Sequence, residues 1–338
     1  MNNNKNFYLE NKDRVIVEDK RFDHLMALSL NSKSDYNEGV IRAILSRDGR
    51  VDKKGYIDRS ELYKIEKNDA GLYEIKESLN IKNSKEIIDS LSYENLDFLG
   101  LEDPDIWIDE ENNLIHLYFT IPFLDKENDN FMVYLGHAKG KNLDNLRMTA
   151  PVLADTGKYG AKELAIAPLN KEGIRYNLVE SSDHGKDFWY STIRVAIAED
   201  MCKDWKFGEI LFHPKENNIA WAGEHASPGP LLDRDFIDMG EGRCLGFMNG
   251  RGSNQEEKDK YGKFSIGLFI YNYEKALIEW VSPEEFISDS QAKTITFASQ
   301  FVANKNGKGI LYAHIDDSFI RSYDITADNL RRFIEQYV

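Results

Sequence analysis

Five acidic side chains stand where a solvated carboxylate is out of place. Glu163 lies in AKELAIAP and Glu224 in WAGEHASPGP, each among small and apolar neighbours, while Glu180 closes the apolar run YNLVE. Glu102 and Asp103 are adjacent and precede Pro104, whose ring fixes φ and stiffens the local backbone. Carboxyl groups held together away from water differ in proton affinity, so such a set suits general acid–base chemistry: one group keeps its proton and another has lost it. A turn cap or structural pair is the competing reading for Glu102 and Asp103, and a structural or ligand-binding role for the other three. No His, Asp or Glu set has metal-ligand spacing, and Cys202 and Cys244 match no metal or redox motif, so no catalytic metal and no cofactor are expected. The two cysteines read as reduced structural thiols. His225, next to Glu224, suits binding or orienting that carboxylate, whereas His116 reads as a core residue.

These residues need elements to hold them, and the chain is dominated by strand signals: Val-, Ile-, Tyr- and Phe-rich runs separated by Gly, Asn, Asp or Lys clusters. A unit recurs at roughly fifty residues, with a lead motif, a strand, a turn, an aromatic strand and a third strand. GLEDPDIWIDEENNLIHLYFT with FMVYLGHAKGKNLDNLRM is one copy, and AKELAIAPLNKEGIRYNLVESS with STIRVAIAEDMCKDWKFGEIL is the next. EHASPGPLL, RCLGFMNGR and KFSIGLFIYNYEKALIEWVSP make a third, and TITFASQFVANKNGKGILYAHIDDSFIRSYDI a fourth. HLMALSLN with GVIRAILSRDG is a divergent first copy, which makes five.

The expectation is an all-β chain, a five-bladed β-propeller with a short C-terminal helix, forming one domain over 1–338. The approximate blades are 20–95, 98–155, 158–214, 220–288 and 293–338. Stacked blades are buried on both faces, which accounts for near-continuous apolar runs, whereas a β-sandwich would not repeat its turns and lead motifs in register. Helical periodicity is confined to Ser84–Leu91 and Ala327–Tyr337, the latter capped by Asp328 or Thr326. The opening reads as a flexible lead-in with Val15, Ile16 and Val17 as first strand, and an N-terminal strand is able to complete the last blade. The charged segment Asp52–Asn95 reads as an insertion, a lid or a dimer arm.

Composition sets the outer limits. The 338 residues are 41% hydrophobic and 30% charged, enough apolar material for a sizeable core, and the formal net charge is -15. That charge disfavours nucleic acid and anionic membrane surfaces, because both need Lys and Arg to neutralise phosphate. A neutral ligand is expected. The start MNNNKNFYLENKDR has no apolar h-region, and no run approaches the roughly 18–20 apolar residues of a membrane span, so the expected location is cytoplasmic. A homo-oligomer is compatible with the sequence.

From about Gly39 onward the copies resemble glycoside hydrolase family 130, the β-mannoside phosphorylases and mannosidases, within the five-bladed propeller glycosidases. The most specific element is Gly100-Leu101-Glu102-Asp103-Pro104, similar to the family's Glu-Asp-Pro signature. Lys162-Glu163 with Pro168 resembles its Lys-Asp and Pro motif, Pro228-Gly229-Pro230 its Gly/Pro-rich stretch, and Tyr312 with Asp316 its Tyr-Gly-Ala-Ala-Asp stretch. The resemblance implies a carbohydrate-processing enzyme with an oligosaccharide or glycoside substrate and Asp103 as general acid. In an inverting mechanism a second carboxylate, roughly 6.5–9.5 Å away, activates water; Glu163, Glu224 and Glu180 remain open for that role.

Two departures bear on the reaction. Family members carry Arg after Glu-Asp-Pro where this chain has Asp105, and phosphorylases carry Arg where Leu178-Val179-Glu180 stands. Guanidinium groups bind phosphate through paired charge-assisted bonds, so their loss favours hydrolysis over phosphorolysis. Glu102, Arg42, Arg47, Trp221, His225, Asn249, Arg251 and Asp316 are the expected substrate-binding residues, with Trp221 as the stacking platform. Asp317 reads as a turn residue, and Trp189, Trp205 and Trp280 as blade core. The alternatives are a phosphorylase, an arabinan- or fructan-type propeller hydrolase, and a non-catalytic carbohydrate-binding propeller. The arabinan type needs a third carboxylate from the first copy, where Asp35 and Glu38 are the choices.

Overall fold

The computed structural model describes residues 7–93, 95–128, 130–154, 159–184, 189–254, 260–304 and 306–338. The chain is mostly β, with 53% strand and 9% helix. Its strands form successive antiparallel groups. The first is His24–Leu30, Glu38–Asp48, Ile57–Lys67 and Tyr73–Ser78; the second is Glu102–Asp109, Leu114–Asp125, Asn130–Gly140 and Arg147–Met148, with Leu96–Phe98 added beside its second strand. The third is Lys162–Ala165, Arg175–His184, Trp189–Ala198 and Lys206–Phe212, and the fourth is His225–Leu231, Arg243–Arg251, Phe264–Asn272 and Leu277–Val281. These two are joined by a single parallel pair, Ser191 with His225. The fifth is Thr296–Asn304, Lys308–Ile315 and Phe319–Thr326, completed by the N-terminal strand Tyr8–Asn11 lying antiparallel to Phe319–Thr326.

Apolar side chains on both faces of each group put the core between groups. Leu62 and Val40 pack with Leu117 and Phe119; Tyr118 and Leu135 with Val179 and Trp205; Leu178 and Ile193 with Tyr271 and Met248. Phe247 and Leu268 meet Leu311 and Tyr323, and Ile41 with Tyr73 meets Tyr312 and Ile320, so the fifth group also packs on the first. Full burial of each such side chain is worth about 1.5–3 kcal/mol.

The first strand of every group carries a register break. The skipped positions are Ala27, Asp103 with Pro104, Glu163, Gly229 with Pro230, and Ser299. A bulge of this kind bends the strand and re-aims the side chain at the break. Ala27, Asp103 and Glu163 take the left-handed conformation there, with φ of 48°, 46° and 51°.

Both segments with helical periodicity are helices, Ser84–Leu91 and Ala327–Ile334. Thr326, rather than Asp328, caps the second by accepting from the Asn329 N–H at 3.1 Å, and Leu330, Phe333 and Ile334 bury its apolar face. Two expectations are corrected. The first strand is Tyr8–Asn11, while of Val15–Val17 only Ile16 pairs, through one bridge to Tyr73; residues 1–6 of the expected lead-in lie outside the described residues. The segment Asp52–Asn95 is no appended arm, for it supplies two strands of the first group and the helix Ser84–Leu91. Alternating burial along Ile57–Lys67 reveals a strand whose high charge hid it.

Candidate active site

The groups surround a cavity of about 500 Å³. Arg42 and Asp58 reach it from the first group, Glu102, Asp103 and Thr120 from the second, and Lys162, Glu163 and Glu180 from the third. His225, Arg251 and Phe264 line it from the fourth, and Phe297, His314 and Asp317 from the fifth. Asp103 and Glu163 arrive by the same device, the bulge at the start of adjacent groups.

Gly100 makes the Asp103 approach feasible. Its φ is +113°, and a Cβ there would sit 1.9 Å from the Ser60 carbonyl oxygen. This close pass lets the Ser60 N–H donate to the Leu99 carbonyl at 3.0 Å, while Arg42 Nε donates to Ser60 Oγ at 2.8 Å. The same buried guanidinium donates to Glu102 Oε1 at 2.6 Å and Asp103 Oδ1 at 2.9 Å. Asp103 Oδ2 is buried with no hydrogen-bond partner among the described residues, so one oxygen of this anchored carboxylate stays uncommitted.

Proton affinities diverge inside the cavity. Burial, followed by the charges of Asp103 and Glu180, holds the Glu163 carboxyl well above the usual carboxylate range even though Lys162 and Arg42 oppose the shift. Burial and the Asp103 charge likewise push Glu102 up to about 7 against the pull of Arg42. Glu180 goes the other way: burial opposes its charge, but His225, Lys162 and a hydrogen bond from Ser227 hold it below the usual range. Burial lowers His225 while the Glu180 charge opposes that shift; its Nε2 lies 3.0 Å from Glu180 Oε2, and Lys162, raised by Glu180 and Asp103 against its burial, adds a positive charge there. Burial also resists charge on Asp317, yet His314 at 3.2 Å and the two arginines Arg42 and Arg47 keep its carboxyl low.

Of the residues singled out from sequence, Asp103, Glu163, Glu180, Glu102, Arg42, His225 and Arg251 share this cavity. The others do not line it. Glu224 lies behind the wall, with Oε2 3.9 Å from Arg251 Nε. Arg47 is fully engaged by Asp58 through two 2.7 Å bonds and acts behind that lining carboxylate. Trp221 is 7% exposed and sits in the core over Gly250 and Gly267, its indole N–H donating to the Ser282 carbonyl; the absent side chains of two glycines make its slot. Asn249 is buried and braces the fourth group to the fifth through both backbone polar groups of Ala298. Asp316 accepts the backbone N–H groups of Lys293, Thr294 and Ile295, which makes it the turn residue, whereas its neighbour Asp317 faces the cavity.

Trp189, expected in the core, is 48% exposed at the cavity wall, which Tyr190 and the 42% exposed Phe131 also line. The only sequence signal for this rim was an unusually aromatic strand start, Trp189-Tyr190, beside a polar turn. Asp105 does not line the cavity, so it cannot repel an anion there; burial pushes it up to about 7. The first group's bulge residue is Ala27, and neither Asp35 nor Glu38 lines the cavity. The site thus holds a carboxyl of raised proton affinity and one of lowered affinity, a half-buried lysine and an aromatic rim, the ingredients of acid–base chemistry on a polar ligand.

No known family model matches the chain, and no curated protein sequence does. Solved structures do. The β-1,2-mannobiose phosphorylase from Listeria innocua, in complex with β-1,2-mannobiose, superposes with a TM-score of 0.65 at 11% identity over 98% of this chain and 99% of that one. MPT-4, a mannose phosphorylase from Leishmania mexicana in complex with phosphate, gives 0.55 at 14% identity over 95% and 90%. The arabinanase Arb43A of Bacillus subtilis gives 0.52 at 10% identity over 94% and 96%. At such identities what is shared is the fold.

Proposed function

We propose that the five strand groups are the blades of one five-bladed propeller domain, and that its cavity cleaves a glycosidic bond in an oligosaccharide or glycoside. The observation that carries this reading is the pairing of Glu163 and Asp103 on adjacent bulges in one cavity, the first holding its proton and the second anchored by Arg42 with an oxygen free. The roles assigned are the reverse of those the family resemblance implies for Asp103. Glu163 gives its proton to the departing glycosidic oxygen, while Asp103 accepts a proton from the water that attacks the anomeric carbon. Lys162 balances Glu180 and Asp103, and the Trp189, Tyr190 and Phe131 rim offers ring faces to the sugar. A mannoside is the first substrate to try, given the ligand of the Listeria structure. The first group does bring a carboxylate, Asp58, to the cavity, but two 2.7 Å bonds tie it to Arg47, which speaks against its acting as the third carboxylate of the arabinan type.

Hydrolysis is the reaction favoured by a free Asp103 oxygen able to activate water. Phosphorolysis is the second reading, and Arg251 is the observation behind it. This lining guanidinium is partly buried, lies 4.2 Å from the Tyr261 ring centroid, and its Nε, 3.9 Å from Glu224 Oε2, has no hydrogen-bond partner among the described residues, so a guanidinium edge is left to an anion. One experiment separates the cases: turnover of mannosides and arabinosides with and without inorganic phosphate, for wild type, Glu163→Gln and Asp103→Asn. The expected result is phosphate-independent turnover that falls about 10²–10⁴-fold in Glu163→Gln for a sugar leaving group. The loss should be far smaller for an aryl leaving group that departs without a proton. Undiminished turnover in both variants refutes the assignment, and strict phosphate dependence selects the second reading.

A further inference from the structure

The second group contains a cluster outside the cavity that the proposed reaction does not use. His116 and His137 are diagonal neighbours on adjacent strands, both buried, with His116 Nδ1 3.0 Å from His137 Nε2. Cys202, on the turn between the last two strands of the third group, completes a set in which one ligand atom per residue lies within 4.8 Å of the others. We propose that His116, His137 and Cys202 bind a divalent transition metal of the zinc class, pinning that turn of the third group to the second, with a fourth position open to water.

Several independent features fit this assignment. Two zinc–nitrogen bonds of about 2.0–2.1 Å place their nitrogens close to the observed separation, so a metal can take the place of the proton the rings share. Both rings are almost fully buried, at 2% exposure for His116 and 0% for His137, so their facing nitrogens see each other and not water. Each ring's outer nitrogen faces an acceptor: Thr149 Oγ1 lies 2.8 Å from His137 Nδ1, and Asp109 Oδ2 lies 3.8 Å from His116 Nε2. Such outer partners set the tautomer that aims the inner nitrogens at a metal. His116 Nε2 is a buried nitrogen with no hydrogen-bond partner among the described residues; with the metal on Nδ1 it would carry the proton and turn it to Asp109.

Contacts that hold the turn include the Cys202 N–H to Asp200 Oδ1 at 2.8 Å, the Tyr118 hydroxyl to the Met201 carbonyl at 2.8 Å and the Trp205 indole N–H to the Asp200 carbonyl at 2.9 Å. Lys139 Nζ lies 3.5 Å from the sulfur. Asp109 and Asp200 offset the charge that Lys139 and a metal together bring. Binding releases one proton, that of the Cys202 thiol, because each imidazole keeps its own proton on the outer nitrogen.

The test is spectroscopic and independent of turnover. The chelator-treated, reduced full chain is titrated with Co²⁺. The expected result is saturation at one equivalent, with a thiolate-to-cobalt charge-transfer band in the near ultraviolet that Zn²⁺ removes by displacement. Cys202→Ser, a change on a surface turn that leaves the fold alone, should abolish that band, while Cys244→Ser leaves it intact. Thr149→Val should weaken binding about tenfold through the lost outer partner. No charge-transfer band in the wild type, or one that persists in Cys202→Ser, overturns the proposal.

Discussion

Replacing Arg42 with Met tests the electrostatic plan of the cavity at its most connected point. One buried guanidinium holds Glu102, Asp103 and Ser60, so the methionine fills most of its volume but leaves two carboxyl groups desolvated without their cation. Breaking a buried ion pair from one side costs about 3–5 kcal/mol. At about 2.1 cal/mol/K of unfolding entropy per residue, a cooperative transition of 338 residues loses about 4–7 °C in Tm. The sign with pH follows from protonation. Burial already raises the Glu102 carboxyl against the pull of Arg42, so without that cation its folded-state pKa lies further above that of the unfolded chain, and the folded state takes up a proton as pH falls and recovers stability. The deficit should be full near pH 8 and shrink toward pH 5, and adding Glu102→Gln should restore about half of it at pH 8. Calorimetry of wild type and both variants across that range is the assay. A Tm deficit under about 1 °C at pH 8, or one equal at pH 5 and pH 8, refutes the clamp.

Other outcomes follow from the same geometry. Because Glu163 must carry its proton, wild-type kcat on a sugar leaving group should fall as pH rises through its raised pKa, and Glu163→Gln should lose that alkaline limb in a pH–rate profile. Trp189→Ala should raise KM about three- to tenfold, a stacking loss of about 0.5–1.5 kcal/mol, with kcat little changed in steady-state kinetics. Asp316→Ala should lower stability by about 1–3 kcal/mol, measured by urea denaturation, by leaving three backbone N–H groups without their acceptor, while turnover persists. Asp317→Asn should do the opposite, sparing stability relative to its effect on turnover. Trp221→Ala should cost about 3–5 kcal/mol in the same denaturation assay, as a core truncation that leaves KM unchanged.

Much of the architecture was legible because strands announce themselves locally. Apolar runs of strand length, turn residues between them and a repeat of lead motifs identify the groups, and the helix Ala327–Ile334 is visible from its cap and period. The strand Ile57–Lys67 was missed because it alternates buried side chains with charged ones, and the charge read as an insertion. The strand Tyr8–Asn11 was missed because its partner, Phe319–Thr326, lies at the other end of the chain. Within the site, Glu163 and Glu180 were found because each interrupts an apolar context, Asp103 through the family-like Glu-Asp-Pro motif, and His225 as the neighbour of Glu224. Asp317, Asp58 and Trp189 were passed over or placed elsewhere, since nothing local separates a side chain that turns into the cavity from one that turns to a backbone amide or to solvent.

The division has one physical origin. Strand-forming pattern, the acidic character of the lead motifs and the net charge of -15 are properties of neighbouring residues and of summed charge, so the sequence by itself determined them. Which of Asp316 and Asp317 faces the cavity, why Trp221 is core and Trp189 rim, and why Glu163 binds a proton more tightly than Glu180 depend on turn contacts, packing, the Glu163 bulge and charges brought together from different groups. A one-residue register break turns a side chain to the other face of its strand, and a buried charge acts across space regardless of chain distance. Those choices belong to the tertiary structure alone.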